Sequence, residues 1–147
     1  MSLHGIGHTL GYAAWLVKEI FAAGFAAVAA AFKPQAGIRP VIIYYPLRIT
    51  TDWELFWFST SITATPGTLS LGFRHNPDLP GQKVLIVQAV FGADPVGLVE
   101  GLMDMEERLK PSVADIQLDP ASVEWQPYRD LGPDQPPRDL PPAERLD

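Results

Sequence analysis

The sequence predicts an α+β membrane protein, with one N-terminal transmembrane helix, a small cytoplasmic α/β domain in the order β-α-β-β-α, and a disordered, Pro-rich tail. Three observations carry this. Residues Leu10 to Phe32 read LGYAAWLVKEIFAAGFAAVAAAF, with charge only at Lys18 and Glu19. The segment after it sets strand-like and helix-like patterns between turn signals, and prolines at 127, 133, 136, 137, 141 and 142 punctuate everything from Gln126 onward. The boundaries that follow are 1–33 for the helix region, 34–112 for the domain and 113–147 for an extended tail.

At about 1.5 Å rise per residue the apolar stretch reaches roughly 34 Å, enough to cross a hydrocarbon core of about 30 Å. A buried core helix is the competing assignment, but it would be long for a domain this small. Apolar residues on all sides argue against a helix lying in the interface. Alanine contributes little to insertion, and Lys18 and Glu19 oppose it by up to roughly 2.5 to 3.5 kcal/mol each, so the helix is built for neighbours. Ala22, Ala26 and Ala30, and beside them Ala23, Ala27 and Ala31, form rows of small residues that let other helices approach closely. Lys18 and Glu19 point about 100° apart, so each is expected to find its partner elsewhere, as a subunit contact or by snorkelling. Lys33, Arg39 and Arg48 follow the helix while only histidines precede it, which puts the C-terminal side in the cytoplasm. Pro34 and Gly37 end the span. A secretory signal is not expected, because the start lacks a basic n-region and a cleavage site.

Beyond the helix, Val41-Ile42-Ile43-Tyr44-Tyr45 is a β-branched and aromatic run that predicts a strand. Thr51 with Glu54 fits a capping box, so residues 52 to about 62 form a short helix carrying Trp53, Leu55, Phe56, Trp57 and Phe58; a strand is the alternative there. These aromatics have two placements, in the small core or against the membrane surface. In the run Ser61 to Ser70, SITATPGTLS, Pro66 presets φ at position i+1 of a tight turn and Gly67 supplies the positive φ of position i+2. Thr68 to Arg74 and Lys83 to Val90 flank the turn-rich HNPDLPGQ and form a hairpin. Asp94 caps and Pro95 opens a last helix, with Val96, Val99, Leu102, Met103 and Leu109 on its apolar stripe and Glu106, Glu107, Arg108 and Lys110 at its polar end. That order gives a split β-α-β layer with helices on one face.

Formal net charge is −6 with no cysteine in 147 residues, which provides no basic patch for nucleic acid and no thiolate or disulfide chemistry. His4 and His8 have metal-ligand spacing only if helical, and Gly5 and Gly7 oppose that. His75, Asn76 and Asp78 are turn formers. The hydroxyls of Ser59, Thr60, Ser61, Thr63 and Thr65 lack a base, so turn and cap hydrogen bonds account for them. Gly72, Gly81, Gly92, Gly97 and Gly101 build no phosphate loop, so neither nucleotide nor cofactor is expected, and no catalytic or metal-binding residue is assigned.

The segment Ser61, Thr63, Thr65-Pro66-Gly67-Thr68 resembles the SIT-x-TPGT signature of the MrpE family, one of the subunit families of the Mrp multisubunit cation/proton antiporters. Those complexes exchange sodium, or sometimes potassium, for protons in prokaryotic membranes. Tyr45-Pro46-Leu47-Arg48, Thr51-Asp52, Lys18-Glu19, Val87-Gln88-Ala89 and Asp94-Pro95 are similar to further family positions in the right order, across roughly residues 10 to 112. Gln88 replaces a common histidine, and family members often carry further hydrophobic helices before the Lys-Glu helix, so the chain reads as a short or truncated form. The resemblance implies a noncatalytic accessory subunit in the cell membrane. Its partners would be the lipid bilayer and other integral membrane subunits, met through Lys18, Glu19, Ala22, Ala26 and Ala30. One span cannot enclose a water-filled path, so ions would cross elsewhere in the complex. The alternative is a membrane-anchored adaptor whose domain binds a soluble protein.

Overall fold

A computed structural model describes residues 3–32, 38–76 and 79–128. Helix α1 runs Leu3–Ala31, and the stretch Thr9–Ala29 within it is long and apolar enough to cross a membrane. Lys33, Pro34, Gly37, Pro77, Asp78, residues 129–147 and the side chains of His4, His8, Ala30 and Ala31 lie outside the described residues.

The domain is a four-stranded antiparallel sheet in the order β2-β3-β1-β4. Strand β1 is Val41–Pro46, β2 Thr68–His75, β3 Lys83–Ala89 and β4 Trp125–Pro127. Strand β1 leads through helix α2, Asp52–Ala64, to β2, and β3 returns between the two, which is the expected split β-α-β arrangement. Helix α3, Pro95–Leu109, follows. Its Asp94 cap accepts a hydrogen bond from the Gly97 amide at 3.0 Å. The Thr51–Glu54 capping box forms as read, each residue's side chain accepting from the other's backbone N–H. Alternate residues explain the core. Ile43, Tyr45, Leu85 and Val87 share one sheet face and are buried with Leu55, Phe58 and Ile62 of α2 and Val99, Leu102 and Met105 of α3.

Four expectations change. First, the fold does not stop at 112. Residues 111–115 and 120–122 form 3-10 turns, Val113 and Val123 enter the core, and β4 pairs with β1 through Val41↔Pro127, Ile42↔Gln126 and Ile43↔Trp125. An edge strand tolerates Pro127, which needs no ladder donor on its free side.

Second, Arg48 and Glu106 are neither a free juxtamembrane charge nor part of a solvated helix end. Both are buried, and Arg48 Nε meets Glu106 Oε2 at 2.7 Å. Glu106 Oε1 also accepts from the Arg48 and Ile49 amides at 2.7 and 3.1 Å, and Oε2 from the Tyr45 hydroxyl at 2.7 Å. The Arg48 guanidinium goes on to Glu107 at 2.9 Å and to the carbonyls of Met103, Val113 and Ile116, tying the C-terminal segment to α3 and β1. Burial opposes the Arg48 charge, but the bonds to Glu106 and Glu107 outweigh it and hold the guanidinium protonated. Burial first, then the Glu106 charge, push the Tyr45 phenol far above its ordinary range, so it stays a donor.

Third, the α2 aromatics divide. Phe58 packs in the core against Tyr45, while Trp53, Phe56 and Trp57 form an exposed cluster with ring centroids 5.4 to 6.0 Å apart. A helix with Leu55, Phe58 and Ile62 turned inward has no inner face left for the other three rings. Fourth, Lys18 and Glu19 pair with each other, Nζ to Oε1 at 3.6 Å, because two flexible side chains bridge the 100° between their Cβ directions.

Candidate helix-docking site

The SITATPGTLS segment ends α2 and starts β2, so its hydroxyls fall where the last helical carbonyls lack partners. Thr65 Oγ1 donates to the Ile62 carbonyl at 2.7 Å, and Thr68 Oγ1 lies 2.7 Å from the same oxygen and 2.8 Å from Thr65 Oγ1. Thr63 Oγ1 donates to the Ser59 carbonyl and accepts from the Ser70 amide, lacing the helix to the strand that follows. Gly67 has φ +95°, as the corner required, and the Thr68 amide closes it onto the Thr65 carbonyl at 3.4 Å. A Cβ on Gly67 would sit 3.1 and 3.3 Å from two atoms of the Phe91 ring as well as in the left-handed region. Gly67→Val should therefore destabilise the chain by about 2 kcal/mol or more, lowering Tm by roughly 8 °C in thermal unfolding. An unchanged Tm would move the motif from architecture toward partner recognition.

Ser61 is fully buried, and it receives a hydrogen bond of 2.9 Å from the Tyr12 hydroxyl of α1. Trp15, one turn on, packs partly against the core, with the Arg108 guanidinium 4.8 Å over its ring. Arg108 is itself anchored by Asp104 at 2.8 Å. Further along, a Cβ on Gly24 would lie 3.9 Å from Pro66 Cγ. Between these contacts a cleft of about 420 Å³ is lined by Glu19 and Ala23 of α1, by Thr65 and Pro66, and by Leu98 and Gly101 of α3. The site is thus a groove beside α2 and α3 that meets α1 along residues 12–24.

Tyr12, Trp15, Glu19 and Ala23 recur at spacings of three and four, which a search for a second face on the helix would have found. Arg108 gave no such signal. Of the residues expected at an interface, Lys18, Ala22 and Ala26 are exposed and Glu19 is half-buried at the groove. The signature residues Ser61, Thr63, Thr65, Pro66, Gly67 and Thr68 are brought together at one corner. Among the described residues, no group of three or more His, Asp or Glu gathers in a way that could hold a metal.

Residues 2–111, the helix and the domain through the end of α3, match the family described as Na+/H+ ion antiporter subunit, MNHE. The chain belongs to that family, the MrpE-type subunits of the Na+/H+ antiporters. It is 32% identical to the E-type Na(+)/H(+) antiporter subunit of Alkalihalophilus pseudofirmus over 77 residues, 47% of this chain and 49% of that protein. To the E-type subunit of Bacillus subtilis it is 25% identical over 100 residues, 68% of this chain and 58% of that one. The chain thus spans about half the length of these MrpE relatives. A chain in the structure of the Mrp complex from Dietzia sp. DQ12-45-1b shares the fold with TM-score 0.55 and 28% identity, covering 71% of this chain and 94% of that one. MrpE-type chains are parts of transporter complexes, and the α+β fold of this chain is similar to that of the Dietzia chain.

Proposed function

We propose that this MrpE-family chain is a noncatalytic accessory subunit of a Mrp-type cation/proton antiporter in the prokaryotic plasma membrane. In this reading α1 sits in the bilayer among sibling integral membrane subunits, the domain faces the cytoplasm, and both are needed for assembly or stability of the complex. The observation that carries the reading is the family match across residues 2–111, which includes the apolar helix and most of the domain.

The groove bears on how α1 reaches the bilayer. Glu54, Asp104, Glu107 and Arg108 border it, and such charges cannot accompany residues 12–24 into hydrocarbon. The contacts that hold the helix there are light. Among the described residues no residue of the span is buried, the Tyr12–Ser61 hydrogen bond contributes about 1 kcal/mol, and the Arg108–Trp15 cation–π contact contributes about 0.5 to 1 kcal/mol. Burying the span's apolar surface in lipid and against sibling helices outweighs that sum, so α1 leaves the groove on insertion.

Ala22→Leu with Ala26→Leu tests the reading against the adaptor alternative. Recovery of sibling subunits with the tagged chain should fall about tenfold or more, the loss that about 1.4 kcal/mol of helix packing produces, while the chain stays in the membrane fraction. An adaptor would keep its partners through an intact domain.

A further inference from the structure

Helix α1 has a second face that neither the groove nor the alanine rows use. Leu10, Val17, Phe21, Phe25 and Val28, with Phe32 in the turn just past the helix end, are all between 52% and 84% exposed. At about 100° per residue they fall within a sector about 80° wide, whose centre lies nearly opposite the face bearing Tyr12, Glu19 and Ala23. From first to last they span roughly 33 Å of helix, the thickness of a bilayer's hydrocarbon core. Neither charge of the helix lies in this sector, and Lys18 and Glu19 neutralise each other beside it.

We infer that this phenylalanine-rich stripe is the lipid-contacting surface of the protein, in direct contact with acyl chains along the depth of the membrane, while the opposite, small-residue side meets protein. The chemistry separates the two sides. Bulky apolar side chains lose nothing against acyl chains, whereas close helix packing selects alanine, which this chain puts at 22, 23, 26 and 27. The complementarity extends to charge, since an uncharged medium meets a sector without a single ionisable group. The stripe also points away from the groove, so it is free whether or not α1 is seated there. The inference rests on the membrane assignment proposed above.

The test replaces Phe25, and separately Phe21, with the photoreactive p-benzoyl-phenylalanine in cells that make the full chain with its sibling subunits, with Trp15 as the protein-facing control. After irradiation of native membranes, Phe21 and Phe25 positions should give the chain shifted by the mass of one phospholipid as the major product, and position 15 should give protein adducts. A protein-sized adduct with a sibling subunit or a second copy as the major product at Phe25 and Phe21 overturns the inference and leaves the family-based assignment standing. No adduct at either position also counts against it. Recovery of the chain from the soluble fraction after alkaline washing overturns both.

Discussion

Glu106→Gln should lower the chain's Tm by more than about 10 °C. Each carboxylate oxygen of Glu106 accepts two hydrogen bonds, one oxygen from the Arg48 and Ile49 amides, the other from Tyr45 and Arg48 Nε. An amide must turn an NH2 toward one of those donor pairs. It also leaves the Arg48 charge buried without its main partner. Losing one member of a buried pair costs about 3 to 5 kcal/mol, which in a domain of this size is a fall of that order in Tm. Tyr45→Phe removes a single donor and should cost only about 1 kcal/mol. Thermal unfolding followed by circular dichroism on the full chain checks both. A Glu106→Gln variant within a few degrees of wild type would mean that the buried pair does not hold the C-terminal segment in place.

Gly92→Ala is the second large effect, expected to destabilise by about 3 kcal/mol. A Cβ there would lie 2.5 Å from the Arg39 carbonyl oxygen and 2.5 and 2.6 Å from the two Val41 methyls. The oxygen cannot step aside, because it accepts the Gly92 amide at 2.9 Å and belongs to the isolated Arg39↔Phe91 bridge just ahead of β1. Overpacking against backbone of this kind sits at the upper end of the usual 1 to 3 kcal/mol. Gly101→Ala is the contrast. Nothing lies within 4 Å of its Cβ, and the position is inside α3, so alanine should stabilise by about 0.5 to 1 kcal/mol. Equal Tm values for the two variants would contradict the packing at Gly92.

What was legible in the chain follows the range of each signal. The Thr51–Glu54 box, the Gly67 corner, the Asp94-Pro95 start and the hairpin all declare themselves within four to ten residues, and the structure forms them where the sequence places them. The Arg48–Glu106 pair joins residues 58 apart, and charge in a helix's last turns ordinarily means solvent, so nothing local announced its burial. Strand β4 is three residues ending in proline within a proline-rich stretch, and Val113 and Val123 are single apolar residues without period. Only their long-range partners give them structure. The groove was half legible. Tyr12, Trp15, Glu19 and Ala23 sit on one helical face, but Ser61 and Arg108, which they meet, come from two elements that only the fold brings together.

The central claim, that this MrpE-family chain works inside a membrane antiporter complex, is tested most directly by what comes with it. Native membranes bearing the chain tagged at its C-terminus would be solubilised in mild detergent, and the purified material identified by mass spectrometry. The account predicts several large polytopic membrane proteins in fixed proportion to the chain. Soluble partners alone, or recovery of the chain without membranes, would contradict it.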